Sequence, residues 1–447
     1  MGIFGAYDVR GIYGKDLDED VAQRLGLSFG NFLGCGKKIV VGMDVRESSE
    51  SLKESLVEGL LGSGNNVIDI GLTATPTLYY TLISGNFDGG VMVTASHNPK
   101  EWNGFKFYDS QGFSFAKGHG LEDIERIYES GNYERRTKGY LKHTEKANEE
   151  YVKFLINSFS FLKGKEIKVM ADLGNGSACL IIPKIVKKLG LNCELINEEP
   201  DGSFPNREPE PKENTLVELR REVRARGMAF GGGFDGDGDR CVFVDEEGRV
   251  ITGDRVLALF LKHIGKKGVK VVYEVSCGKA LLDMIKKCEA VGIESRVGRT
   301  YILHHMKRKD ADLGGEYSSH FYFKELKGGD DGMYAFLKMY SLVANKSLRE
   351  MLEDIPLYPK KRIDVEVRNE QKFELIERIK ELVREEGKEV VTIDGVKVLY
   401  EDGWYLIRAS NTQPLLRITV EAKEEGRLKE LEKEARSLVE RVYMSSS

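Results

Sequence analysis

Three times along the chain a charged residue leads into an unbroken run of β-branched and other apolar residues, and the run ends in a polar, glycine-containing turn. The segments are KKIVVGMDVR at 37–46, KEIKVMADLGNG at 165–176 and VKVVYEVSCG at 269–278. An apolar run without alternation marks a strand covered on both faces, as strands of parallel sheets are by their crossover helices. Each run is followed by residues at helical spacing: Leu52, Leu56, Val57 and Leu60; then Ile181, Ile182, Ile185, Val186 and Leu189; then Leu281, Leu282, Ile285 and Cys288. Gly64, Gly190 and Gly292 are the expected stops of those helices. A second strand is expected behind each helix, in NVIDIGL, LNCELI and IESRVG. The repeats begin at 37, 165 and 269, a domain apart and too far for a solenoid. The expectation is three related α/β domains with mixed sheets.

From RIDVEVRN at 362–369 the order changes to strand, helix (373–384), strands around VVTIDGVKVLY and GWYLIRA, and a last helix (427–443). This predicts a smaller C-terminal α+β domain, an antiparallel sheet with two helices on it. The expected domains are 1–150, 151–253, 254–358 and 359–447. With 67 basic against 72 acidic residues the net charge is -5, so no global field points to nucleic acid. The six cysteines lie far apart with no CxxC pair, which speaks against a zinc ribbon or a dense disulfide framework. No run of about 18 apolar residues would span a membrane, and Met1 to Arg10 lacks the form of a signal peptide. A cytoplasmic protein without nucleic-acid or membrane partners is expected.

The stretch GGGFDGDGDR at 231–240 sets Asp235, Asp237 and Asp239 at alternate positions. Carboxylates this close repel one another unless they share a cation. With Glu246 the spacing approaches a calcium loop, but Arg240 stands where that loop needs glycine, and the flanks read as strands, CVFVDEEGRVIT being a hairpin. Read as extended backbone, alternate residues point the same way, so the three carboxylates converge on one small ion. Hard oxygen ligands in an incomplete shell favour magnesium completed by a phosphate oxygen, over an acidic surface turn.

Three further stretches could face that ion. In VTASHNP at 93–99, Ser96 follows a strand and precedes a turn; there is no GxSxG elbow, and an ordinary loop serine is the bland alternative. In RASNTQPLLR at 408–417, Arg408 and Arg417 bracket Ser410, Asn411 and Thr412, short donors that with a bidentate guanidinium could encircle a phosphate, though such clusters also make plain turns. In GGEYSSH at 314–320, Glu316, Ser318 and His320 alternate onto one face, suited to sugar hydroxyls or to a structural edge strand.

Taken together and in this order, TASHNP, DGDGDR, GGEYSSH and RASNTQP, opened by FGAYDVRG at 4–11, resemble the α-D-phosphohexomutase family and its phosphomannomutase/phosphoglucomutase branch over essentially the whole chain. VGMDVRESS at 41–49 and DGSFPNREPEP at 201–211 are similar to further segments of it. The resemblance implies four domains around a central cleft and a mutase that moves phosphate between C1 and C6 of mannose or glucose phosphate. Ser96 would carry the phosphoryl group, and Ser96 with Asp235, Asp237 and Asp239 would hold Mg2+. Arg10, His97, Lys106, Arg240 and His320 would surround the reacting oxygens. Glu316 and Ser318 would hold sugar hydroxyls, while Arg408, Ser410, Asn411, Thr412 and Arg417 would grip the distal phosphate. A sugar bisphosphate would be the activator and a small phosphosugar the partner. The chain departs from the branch's usual GEMSGH at Tyr317 and Ser319, from TEP at Gln413, and at Arg296 and Arg299, where added charge would favour a different phosphosugar. Phosphopentomutase is therefore the first alternative. SNT and AYDVRG speak against phosphoglucosamine mutase, the next one, and a non-catalytic phosphosugar-binding protein is a last.

Overall fold

The structure is a computed structural model and describes residues 2–343, 346–410 and 414–444. The first sheet has six strands in the spatial order Val9–Ile12, Trp102–Asp109, Gly89–Val93, Lys38–Met43, Asn66–Leu72 and Leu141–His143. Lys38–Met43 is central and parallel to both Asn66–Leu72 and Gly89–Val93, whereas Trp102–Asp109 returns antiparallel beside Gly89–Val93. Ile39, Val40 and Val41 are all fully buried, the double coverage that the unbroken apolar run required.

The second and third sheets repeat this plan. Val169–Asp172 lies parallel to Cys193–Ile196 and to Phe230–Phe234, and Cys241–Asp245 returns antiparallel to the latter. Lys270–Glu274 lies parallel to Val291–Ser295 and to Leu313–Gly315, and Phe321–Phe323 returns antiparallel. In all three units the same connection carries a candidate site residue: Ser96 follows Val93, Asp235 follows Phe234 and Glu316 follows Gly315. Each sits just past the carboxyl end of a parallel strand, where open α/β sheets place their ligands. The second and third units share one core, in which Phe243, Phe260 and Phe321 pack edge to face or tilted.

The fourth sheet is antiparallel, in the order Lys360–Glu366, Leu415–Ala422, Gly403–Ala409, Val396–Tyr400 and Val390–Val391, with helices Lys372–Glu385 and Glu425–Met444 packed on its apolar face. Among the described residues no helix is long and apolar enough to cross a membrane.

One local expectation fails for a physical reason. Gly292 does not stop a helix: helix Lys279–Lys287 ends at Cys288, Glu289 takes the left-handed conformation at φ 50°, and Gly292 already pairs with Val271 in the next strand. The helix stops where its apolar stripe runs out, three residues before strand pairing begins. In keeping with the rejection of a calcium loop, Glu246 accepts the Arg349 backbone N–H at 3.2 Å. All six cysteines are free.

Candidate active site

The Ser96 loop is strapped down from inside. Arg46 is buried, paired with Asp44, and its guanidinium donates to the carbonyls of Ser96 (2.8 Å), Asn98 (2.7 Å), Pro99 (2.7 Å) and Trp102 (2.8 Å). Thr94 Oγ1 accepts the Ser96 N–H at 2.8 Å and donates to Asp44 Oδ2 at 2.7 Å. Arg10, ion-paired to Asp8, braces the same loop through Ala95 O at 3.1 Å and Asn98 Oδ1 at 2.5 Å. Under these restraints Ser96 holds φ 52°, a left-handed conformation that a non-glycine residue takes only where its surroundings impose it. Replacing Arg46 with methionine should destabilise the first unit by about 3–5 kcal/mol, since buried Asp44 would lose its cation and four loop carbonyls, one buried and three part-buried, would lose their donor. A denaturant titration checks this; an unchanged midpoint would exclude a strapping role.

Ser96 Oγ donates to Asp235 Oδ2 at 3.0 Å, across 139 positions of sequence. The approach depends on Gly236, where an added Cβ would lie 2.5 Å from the Ser96 carbonyl oxygen. Asp235, Asp237 and Asp239 each offer a carboxylate oxygen within 4.8 Å of the others, and all three are buried. They do not converge by alternation along a strand. The strand ends at Phe234 and the chain turns, with Gly238 at φ 78° and Asp235 Oδ1 accepting the N–H groups of Gly238 and Arg240, both at 3.1 Å. A strand spreads alternate carboxylates along its length, whereas a turn wraps them round one point.

Burial, then Asp239 and Asp237, lift the Asp235 carboxyl to about 8. Lys106 Nζ lies 2.7 Å from both Asp237 Oδ2 and Asp239 Oδ2, and this cation holds both carboxyls down despite burial. Thr75 donates to Asp237 Oδ2 at 2.5 Å, but Asp237 Oδ1 is buried with no hydrogen bond among the described residues. Asp239 Oδ1 is likewise buried without a hydrogen bond among the described residues, so three hard-oxygen donors, two with an unsatisfied oxygen and the third forced towards protonation, are an anionic shell that one divalent cation would complete.

His97 and His320 both neighbour Arg240 and differ in charge. Desolvation, then Arg240 and Arg10, push His97 well below the ordinary imidazole range, so it is neutral and its Nδ1 accepts from Arg240 Nη2 at 2.7 Å. Burial and Arg240 also oppose charge on His320, but Glu316 (2.9 Å) and Asp239 (3.2 Å) outweigh them and raise it to about 9. Glu316, Ser318 and His320 meet through a tight turn and not through strand alternation: Ser319 takes φ 68°, and Ser318 Oγ comes within 3.2 Å of His320 Nδ1. Tyr322 donates to Glu316 Oε2 at 2.8 Å, while Oε1 makes no hydrogen bond among the described residues.

Arg408 and Arg417 stand directly opposite one another on neighbouring strands, with Asp394 3.9 Å from the first and Asp364 2.9 Å from the second. Ser410 is buried at the end of the same strand pair, and its N–H donates to Leu415 O at 3.0 Å. Asn411 and Thr412 lie outside the described residues. The charge expected to read the sugar at Arg299 is spent inside the protein. Arg299 is bidentate to Asp330 at 2.5 and 2.6 Å and lies 3.4 Å from Asp239, while Arg296 is exposed and stacked on Tyr301. Arg46, Thr75, Asp330 and Glu274 join these groups from outside the four motif stretches. Only Arg46 carried a sequence signal, a charged pair with Asp44 directly after a fully buried strand.

Over residues 1–135, 149–248 and 252–358 the chain matches the family descriptions phosphoglucomutase/phosphomannomutase, alpha/beta/alpha domains I, II and III, and over 363–438 the C-terminal domain. A probable phosphoglucosamine mutase of Methanocella arvoryzae is 35% identical, the match covering 99% of this chain and 98% of the relative. A phosphomannomutase of Methanocaldococcus jannaschii is 36% identical over 99% of this chain and 98% of its own. The crystal structure of a phosphoglucomutase/phosphomannomutase family protein from Burkholderia thailandensis aligns with a TM-score of 0.90 at 29% identity, covering 98% of this chain and 97% of that one.

Proposed function

The chain belongs to the phosphoglucomutase/phosphomannomutase family, whose members are intramolecular phosphotransferases, and from that premise we propose that it moves phosphate between C1 and C6 of mannose or glucose phosphate, with magnesium and a phosphoserine at Ser96. The observation that carries the reading is the contact of Ser96 Oγ with Asp235 Oδ2 at 3.0 Å, which joins a hydroxyl of the first unit to a cation-binding cluster of the second. Asp235, Asp237 and Asp239 would hold the ion beside an oxygen of the phosphoserine. When bound, magnesium supplies charge neutralisation for the phosphoryl oxygens.

The chain's own groups do the rest. Lys106, Arg10 and Arg240 surround Ser96 with fixed positive charge that neutralises the phosphoryl group as it leaves the serine oxygen. His97 stays neutral and holds Arg240 in place through Nδ1. Glu316 Oε1 and Ser318 take hydroxyls of the sugar, and His320 keeps its protons between Glu316 and Asp239. Arg408, Arg417 and Ser410, with Asn411 and Thr412, grip the phosphate that is not reacting. In the first transfer the phosphoserine P–O bond breaks as a bond forms to the free sugar hydroxyl, which loses its proton while Ser96 regains one. The bisphosphate then turns round, the second transfer reverses these changes, and a bisphosphate supplied from outside would load an empty Ser96. Arginine and hydroxyl contacts suit a site that must accept either phosphate.

A second reading, a glucosamine phosphate, draws on the name of the Methanocella relative. Rates on mannose, glucose, glucosamine and ribose 1-phosphates, each with magnesium and glucose 1,6-bisphosphate, separate the two and test the pentose alternative as well. Mannose or glucose 1-phosphate should give the highest kcat/KM. Turnover of none of the four, with no phosphate on the Ser96 peptide, would leave only a binding protein.

A further inference from the structure

Four residues close a ring between the turn that carries Glu316 and the sheet that carries Arg408. Glu274, the last residue of strand Lys270–Glu274, accepts on Oε1 both the Tyr317 backbone N–H at 3.1 Å and Ser276 Oγ at 2.5 Å. The carbonyl of Ser276 accepts from Lys360 Nζ at 2.7 Å. Lys360 opens strand Lys360–Glu366 of the fourth sheet, and its Nζ lies 4.0 Å from the centre of the Tyr317 ring. The ring therefore crosses between the third and fourth units twice, once by a hydrogen bond and once by a cation over an aromatic face.

Direct hydrogen bonds hold the rest of this junction. Lys397, 1% exposed, donates to Val275 O at 2.7 Å; Glu421 Oε1 accepts Lys279 N–H at 2.6 Å and Trp404 Nε1–H at 2.9 Å; Asp254 Oδ2 accepts Gly278 N–H at 2.7 Å. Asp254 and Glu421 also lie 3.5 and 3.8 Å from Lys360 Nζ, so its charge is compensated without Tyr317. What the Tyr317 contact adds is position. Tyr317 is the neighbour of Glu316, the residue is 37% exposed in a turn, and the Lys360 head group holds its ring from the opposite unit. A cation–aromatic contact weakens steeply as the cation leaves the ring face, so a small displacement of the fourth sheet is felt at the Glu316 turn.

We propose that Tyr317 and Lys360 are positioning residues that couple the setting of Glu316 to the seat of the arginine-bearing sheet, so that sugar ring and distal phosphate are gripped at a fixed separation. The inference rests on the roles given above to Glu316 and Arg408. Tyr317→Leu and Lys360→Met should each raise KM for mannose or glucose 1-phosphate about tenfold with kcat changed far less, and the double variant should be no worse than either single one. Tyr317→Phe, which keeps the ring face, and Lys360→Arg, which keeps the cation, should stay within about twofold of the parent. Melting temperatures should be unchanged for both Tyr317 variants and for Lys360→Arg, whereas Lys360→Met, which leaves buried Asp254 and Glu421 without their lysine, should melt lower and is assayed well below its transition. Multiplying effects in the double variant, or a Phe variant as impaired as the Leu one, would overturn the proposal.

Hydrogen exchange of the ligand-free protein separates this failure from failure of the mutase reading. Lys360→Met should speed exchange in the peptide 314–320 of the other unit by about tenfold, while Lys361→Met, whose lysine pairs with Glu432, should not. If the parent turns over no sugar phosphate the proposed function falls, yet the coupling stands on faster exchange at 314–320 and falls on unchanged exchange.

Discussion

Replacing Ser96 with alanine should abolish turnover, by on the order of a thousandfold or more, while the fold survives. No other hydroxyl in its loop can take over, because Thr94 Oγ1 is committed to the Ser96 N–H and to Asp44. Alanine meets about the same 1–2 kcal/mol cost at φ 52° that serine meets now, and Arg46 still holds the loop carbonyls. The change therefore removes a phosphoryl carrier and one hydrogen bond to Asp235, and little else. Two measurements check it: the initial rate with a bisphosphate primer, and the intact mass after incubation with that primer. Parent protein should carry one phosphate on the Ser96 peptide and the alanine variant none. Full turnover by the variant would remove the phosphoserine from the mechanism.

Withdrawal of magnesium should have the second largest effect. Without a divalent cation three buried carboxylates face one another within 4.8 Å, relieved only in part by Lys106 on Asp237 and Asp239, by Arg299 and His320 on Asp239 and by Arg240 on Asp235. Chelation should stop turnover and magnesium should restore it. Binding should also stabilise the folded state, by about 2.7 kcal/mol at an ion concentration a hundredfold above Kd, visible as a rise in melting temperature. Asp237→Asn should cut magnesium affinity by about a hundredfold and remove most of that rise, because Asp237 Oδ1 is buried with no hydrogen bond among the described residues, and Asp239 Oδ1, the other such oxygen, already has His320 beside it at 3.2 Å. Turnover in excess chelator, or a wild-type magnesium response from the asparagine variant, would contradict the assignment of the ion to this cluster.

Much of the architecture was legible in the chain itself. The unbroken apolar runs at 37, 165 and 269 placed the central strand of each α/β unit, because a strand covered on both faces has nowhere to put a polar residue. The 3.6-residue spacing behind them placed the helices, and the change of pattern after 362 announced an antiparallel sheet. The four candidate loops were also readable, since glycines and short polar residues between apolar runs can only be connections. Gly292 misled because glycine serves equally as a helix stop and as a strand residue, and local pattern does not choose between them.

What the sequence by itself determined was which faces are buried and where the chain must turn, for both are written in the spacing of neighbouring residues. Only the tertiary structure decided that the Asp235 loop closes round a point instead of running extended, that Arg46 straps four carbonyls under Ser96, that Arg299 turns its charge on Asp330, and that Lys360 reaches the ring of Tyr317. Each of these depends on which strand ends come to lie side by side. Such neighbours are tens to hundreds of positions apart along the chain, and no local periodicity records a partner that distant.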